Sequence, residues 1–261
     1  MSEEVKYEEG VFCWVDLMAH DIEAAKRFYS QLFGWEMTPT EEHMQYSNAM
    51  QGGQMVAGIG GMPPDMRASG VPPTWNSYAY TSDAAKVEAA ARANGANILA
   101  PTMQIAEHGS MMYFMDPGGA AVGVWQPGTH RGAGIVNKPN SLCWNELMTR
   151  DLDGAKTFYS KVLGWTYEAM PMGEFDYNVV KVGERTNGGI MPMVGDMWEG
   201  IPPHWMVYFA VADTDAMAEK CKKLGGEIKV PPQDIPSVGR FAVLSDPQGA
   251  VFSVLKLAQP A

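Results

Sequence analysis

The chain is poor in the residues that usually build metal centres and disulfide frameworks, with 3 cysteines and 5 histidines in 261 residues. Cys13, Cys143 and Cys221 fall in apolar strand or helix patterns without C-x-x-C spacing. A structural zinc or disulfide framework is therefore not expected, and the three read as small buried hydrophobes in a reducing compartment. Basic residues are also scarce: 19 Lys and Arg against 30 Asp and Glu leave a net charge of −11. That balance excludes the basic face that nucleic acid or an anionic membrane requires. No apolar run approaches the roughly 18 residues needed to cross a bilayer. The start, MSEEVKYEEG, carries acids where a secretory signal would carry a basic and then an apolar segment, so the expected location is the cytoplasm. There is no G-x-x-x-x-G-K-S/T, no G-x-G-x-x-G between strand and helix, no H-E-x-x-H and no G-x-S-x-G. GIGGMPP is Gly-rich, but it ends a strand and runs into proline rather than a helix, so it offers phosphate no helix N-terminus. No cofactor is expected.

What is present is an ordinary globular composition, 46% hydrophobic and 19% charged, with 20 methionines that suit irregular cores or adaptable ligand surfaces. The second half rewrites the first. CWVDL at 13–17 returns as CWNEL at 143–147, DIEAAKRFYSQLFGW as DLDGAKTFYSKVLGW, and FMDPGGAAVGVW as LSDPQGAVFSVL. Asp21, Asp83, Gly95 and Asp116 answer to Asp151, Asp213, Gly225 and Asp246, always 130 positions on. Such an offset marks duplication of a whole domain. Within each half, N-capping Asp, apolar residues at three- and four-residue spacing and a closing Gly predict helices over 21–33, 151–163 and 83 to about 94. Strands are expected at 12–17, 75–81 and 97–104, a hairpin at 111–126 turns at Asp116-Pro117-Gly118-Gly119, and WEMTPT, MQYSNAM and MVAGIGGM are further short segments. The order is β-α-β-β-β, four times over, an α+β chain of two domains, 1–132 and 133–261. QPGTHRGAGIVNKPN between them reads as a linker or covering strand.

This element order, the two FY…GW helices and the two DP.G hairpins together resemble the glyoxalase, bleomycin-resistance and extradiol-dioxygenase superfamily, the vicinal oxygen chelate proteins. The duplication, PxWxxY before the middle helix and the closing IPSVGRFAVLSDPQGAVFSVLK are similar to tandem two-domain actinobacterial members. The resemblance implies cupped, incompletely closed mixed sheets with helices outside. It also implies a divalent metal held from the first, fifth and eighth strands, often by His, His and Glu. Counted from the Asp that opens each helix, the first-strand positions are Trp14 and Trp144, and the fifth-strand positions Asn76 and Met206. The eighth-strand positions are Gly123 and Ser253. None is a His or a carboxylate, so the resemblance extends to the fold and not to metal chemistry.

Alternation along a strand decides which side chains enter the cup. Cys13, Val15 and Leu17 suit the helix-covered side, leaving Trp14 and Asp16 on the cupped side, with Trp144 and Glu146 in the repeat. The fifth strand adds Asn76, Tyr78 and Tyr80 to the first set, and Met206 and Tyr208 to the second. The eighth adds Gly123 and Trp125, then Ser253 and Leu255. Gly123, where the family carries a long Glu, is expected to open space. The two tryptophans either line a ligand or fill a cup that holds no metal. Asp16 and Glu146 are either solvated strand-end groups or carboxylates with a raised pKa, suited to proton transfer. Tyr78 and Tyr208 either touch ligand or share a structural hydrogen bond. His108, His204 and Arg240 read as surface residues. The expected function is metal-free binding of a small organic molecule, in a monomer or homodimer, with the first set the better site. The alternatives are a lyase, isomerase or hydroxylase-like enzyme using Asp16 or Glu146, and a partner-binding protein whose cups are self-filled.

Overall fold

The structure, a computed structural model, describes residues 5–41, 43–172 and 175–258; the first four residues of the acidic start lie outside them. The first half runs β1 (Phe12–Ala19), α1 (Ile22–Phe33), β2 (Glu36–Met37), β3 (Tyr46–Gln51), β4 (Gln54–Gly61), α2 (Pro64–Ala68), β5 (Thr74–Tyr80), α3 (Ala84–Ala93), β6 (Asn97–Ile105), β7 (Gly109–Met115) and β8 (Ala121–Pro127). The second runs β9 (Leu142–Thr149), α4 (Leu152–Leu163), β10 (Thr166–Met172), β11 (Phe175–Val182), β12 (Arg185–Pro192), a 3-10 turn, β13 (His204–Ala210), α5 (Thr214–Lys223), β14 (Glu227–Ile235), β15 (Gly239–Ser245) and β16 (Val251–Leu257). These are the four expected β-α-β-β-β modules. None of the described helices is long and apolar enough to cross a membrane.

Each long helix opens on the same device. Asp21, Asp83, Asp151 and Asp213 accept hydrogen bonds from the amides of Ala24, Lys86, Gly154 and Ala216, satisfying donors that a helix start leaves unpaired. Gly34 and Gly164 close α1 and α4 at φ 76° and 71°, a conformation that a side chain resists. One reading needs correction: GIGGMPP does lead into a helix, the single turn α2, because proline tolerates the first helical position where no amide partner exists.

The strands form two open eight-stranded mixed sheets, ordered β2-β3-β4-β1-β5-β8-β7-β6 and β10-β11-β12-β9-β13-β16-β15-β14, so each sheet is drawn from one half of the sequence. The segment between them, 128–141, contains no strand. The compact units are drawn differently: one comprises residues 1–14, 76–132 and 144–206, the other 15–75, 133–143 and 207–261.

The core of the first unit gathers Phe12, Phe114, Phe158, Tyr159, Trp165 and Trp205. Through it runs a chain of hydrogen bonds: Trp205 Nε1 donates to the Tyr159 hydroxyl at 2.9 Å, which donates to Asp116 Oδ2 at 2.8 Å. Asp116 Oδ1 accepts from the Ala120 amide and so also closes the β7–β8 turn. The second unit repeats it, with Trp75 Nε1 to Tyr29 at 3.0 Å and Tyr29 to Asp246 Oδ2 at 3.1 Å. Asp246 Oδ1 accepts from the amides of Gln248 and Ala250. Burial raises both aspartates above the ordinary carboxylate value, and burial with the adjacent negative charge holds both tyrosines protonated, as donors. Trp35 and Trp165, from the GW pairs, donate to the carbonyls of Asn140 and Gly10. The most conspicuous recurring residues therefore serve the core.

Candidate functional site

An aromatic face lies in the first unit. On β5, Tyr78 is in register with Gly123 and Tyr80 with Trp125, and on β7 Tyr113 is in register with Gly123, so these side chains share one side of the sheet. Tyr113 donates to Asn76 Oδ1 at 2.7 Å, and its ring lies 5.9 Å from that of Tyr78. Asn76 and Tyr78 are buried; Tyr80 is half-buried. Gly123 does not open space as expected. A Cβ at that position would overlap the ring of Tyr78 and crowd Tyr113, so glycine is there to let two rings lie against the strand.

At the end of this face Trp14 and Trp125 hold His130 between them. The imidazole stands edge-on to Trp14 at 4.3 Å between ring centres and tilted against Trp125 at 5.2 Å. Trp125 Nε1 donates to the His130 carbonyl at 2.8 Å. Both imidazole nitrogens are buried, with no hydrogen-bond partner among the described residues. Burial, aided by the nearby His108, lowers the His130 pKa to about 4, so the ring is neutral at physiological pH. Neither Tyr113 nor His130 was anticipated. Tyr113 was legible, since it alternates with Phe114 on a strand of known phase. His130 was not, because it lies in a segment without periodicity.

The two carboxylates of the CW motifs each receive a tyrosine that the motifs do not contain. In the first unit Trp144 Nε1 donates to the Tyr177 hydroxyl at 2.8 Å, and Tyr177 is hydrogen-bonded to Glu146. Burial and the charge of Glu146 hold Tyr177 well above the ordinary tyrosine value, so it remains a donor. In the second unit Tyr46 donates to Asp16 Oδ2 at 3.2 Å. Each carboxylate is in register with a glycine, Asp16 with Gly58 and Glu146 with Gly189, and a Cβ on either glycine would occupy the place of the tyrosine hydroxyl. Met206 is buried in the first unit. In the second, Tyr208 is in register with Ser253, and Ala210 with Leu255. The Ser253 hydroxyl is fully buried and has no hydrogen-bond partner among the described residues.

The remaining residues weighed from sequence have structural duties. Cys13 and Cys143 donate to the carbonyls of Tyr78 and Tyr208; burial raises both thiols, Cys143 to about 12, so neither is a thiolate nucleophile. His204 Nδ1 meets the Pro202 carbonyl at 2.8 Å, and His108 Nδ1 lies 3.4 Å from the Thr129 hydroxyl. Arg240 grips Asp215 through two nitrogens and also reaches Asp234.

Comparison with known proteins gives this geometry its relatives. Residues 141–254 match the profile of the Glyoxalase/Bleomycin resistance protein/Dioxygenase superfamily, and residues 12–50 that of the bleomycin resistance protein-like N-terminal region. The chain is 44% identical over 265 residues to the putative glyoxylase CFP32 of Mycobacterium tuberculosis, covering 99% of each. The chain belongs to the glyoxalase/bleomycin resistance/dioxygenase superfamily. It is also 31% identical to the anthracycline biosynthesis protein DnrV of Streptomyces peucetius, covering 97% of this chain and 96% of that one. The fold is shared with an Mn(II)-bound glyoxalase from Novosphingobium aromaticivorans at a TM-score of 0.65 and 16% identity, over 96% and 83% of the two chains. It is shared as well with the 2,3-dioxygenase LapB from Pseudomonas sp. KL28 at a TM-score of 0.60 and 15% identity, over 97% and 95%.

The metal that this superfamily implies is not matched by the residues present. The inherited ligand positions carry Trp14, Asn76, Gly123, Trp144, Met206 and Ser253. Indole, thioether and a bare glycine supply none of the imidazole and carboxylate donors that Mn, Fe or Zn require, and Asn76 is engaged by Tyr113. Among the described residues no group of three or more His, Cys, Asp or Glu stands close enough together to hold a metal ion.

Proposed function

We propose that this superfamily member binds a small planar organic molecule, without a metal, against the aromatic face of Trp14, Tyr78, Tyr113 and Trp125. The observation that carries the reading is the replacement itself. Where a first-strand metal ligand would stand there is an indole, and the fifth- and eighth-strand positions hold an amide and a glycine packed beneath two tyrosine rings. Flat apolar surfaces with few, oriented polar groups are the usual lining of small-molecule sites and suit stacking against a ring system. The names of the Streptomyces relatives, anthracycline biosynthesis proteins, accord with an organic ligand.

The test combines metal analysis with ligand binding. After dialysis without chelator, elemental analysis should find no stoichiometric Zn, Fe, Mn or Ni. 2-Naphthol in excess should raise the melting temperature, since a ligand at 100 times its Kd stabilises by about 2.7 kcal/mol. Trp14→Ala or Trp125→Ala should abolish the rise. One metal per chain that EDTA removes with loss of stability overturns the reading.

A second reading rests on a different observation, the recurring tyrosine–carboxylate pairs. Glu146 with Tyr177, or Asp16 with Tyr46, would move a proton to or from a bound substrate, making the protein a lyase or isomerase. Turnover that Glu146→Gln or Asp16→Asn abolishes while ligand still binds would select this reading over simple binding.

A further inference from the structure

His130 is an anomaly in the aromatic face. Tyr113 donates to Asn76 Oδ1, and the Trp125 N–H is met by a carbonyl. The two nitrogens of the His130 imidazole, by contrast, are buried, and neither has a hydrogen-bond partner among the described residues. A neutral imidazole carries one N–H and one lone pair. The ring of Trp14 is at most a weak partner for one of them. Burying such groups unpaired is costly, so a residue kept this way calls for a reason. The packing supplies one. The side chain is positioned by rings on two sides, and its carbonyl is fixed by Trp125, which holds the imidazole beside the surfaces that would receive a flat ligand.

We propose that His130 is the specificity-determining polar contact of the aromatic site, and that it selects an uncharged planar ligand bearing a hydroxyl, of phenol or enol type, over the bare ring system. The proposal rests on the reading of the aromatic face as the ligand site. A hydroxyl matches the imidazole because it both donates and accepts, whereas a neutral imidazole offers an anionic group no countercharge. Because both nitrogens are covered, binding requires the 128–132 segment to shift. That segment has no regular secondary structure and is held to the neighbouring turn by backbone bonds from Gly128 and His130 to the His108 carbonyl and from Thr129 to that of Glu107. The ligand hydroxyl then replaces an unpaired state with a hydrogen-bonded one, and that gain is what separates phenol from hydrocarbon.

The experiment compares 2-naphthol, naphthalene and naphthalene-2-carboxylate on the wild type, His130→Phe and His130→Gln by calorimetry, with near-UV circular dichroism to confirm folding. The wild type should bind 2-naphthol at least tenfold more tightly than naphthalene, and the carboxylate no better than naphthalene. His130→Phe should erase the difference while keeping naphthalene binding, and His130→Gln, which can donate and accept, should restore part of it. The 15N resonances of the His130 ring should move on adding 2-naphthol and not on adding naphthalene. An undiminished preference in His130→Phe, or no preference in the wild type, overturns the proposal and leaves the aromatic site standing. Failure of all three probes to bind the wild type overturns the aromatic site and the proposal with it.

Discussion

At the scale of single residues, two side chains carry most of the chemistry, His130 and Glu146. The folded chain holds His130 neutral down to about pH 4, whereas the unfolded chain protonates it near 6.5. A depressed histidine value stabilises the fold fully above the unfolded pKa and loses that contribution as pH falls toward the folded one. The titratable neighbour is His108, and the rings of Trp14 and Trp125 carry no charge. Urea unfolding at pH 7.5 and pH 5 should therefore differ by about 2 kcal/mol more in the wild type than in His130→Phe. Glu146 invites the opposite sign of expectation from the one its sequence suggests. An isolated desolvated carboxylate would gain stability when neutralised to Gln, but Glu146 is hydrogen-bonded by Tyr177, which in turn receives Trp144. Tyr177→Phe strands both neighbours and should cost about 1 to 3 kcal/mol in urea unfolding at pH 7. A neutral Tyr177→Phe would mean the pair contributes nothing to folding.

At the scale of elements, the strands β4 and β12 are shaped by the residue opposite each carboxylate. Gly58 and Gly189 leave room for a tyrosine hydroxyl reaching from β3 or β11. Gly58→Ala and Gly189→Ala should each displace that hydroxyl, break its bond to the carboxylate and destabilise by about 1 to 3 kcal/mol, as overpacking does. The matching Gly34→Ala, at a helix end with open space around it, tests backbone conformation alone. The elements themselves were legible in the sequence. Asp at each N-cap, apolar residues three and four apart and Gly at the close of a helix are local signals. They placed the predicted helices and strands within a residue or two of where they lie, except WEMTPT at 35–40, of which only Glu36–Met37 is strand. The single turn α2 departs from the expectation because proline, which ends most helices, also suits a first helical position.

For the whole molecule, the duplicated hydrogen-bond chains decide how much of the sequence is spent on folding. Tyr159→Phe and Tyr29→Phe each remove one of the donors to a buried aspartate and leave a tryptophan N–H without its acceptor, and should each cost about 1 to 3 kcal/mol in urea unfolding. Little effect from either would mean that the recurring FY and DP.G residues are kept for something other than core stability. The sequence by itself determined the modules and their duplication, because period and caps are local properties. Only the tertiary structure decided that a helix of one half shares a core with a hairpin of the other, as Tyr159 with Asp116 and Tyr29 with Asp246. It alone put a tyrosine on each carboxylate, filled the space beside Gly123 and set the His130 ring between two indoles with neither nitrogen partnered among the described residues. Those facts depend on which strands adjoin and how residues tens of positions apart meet, and no local period encodes that.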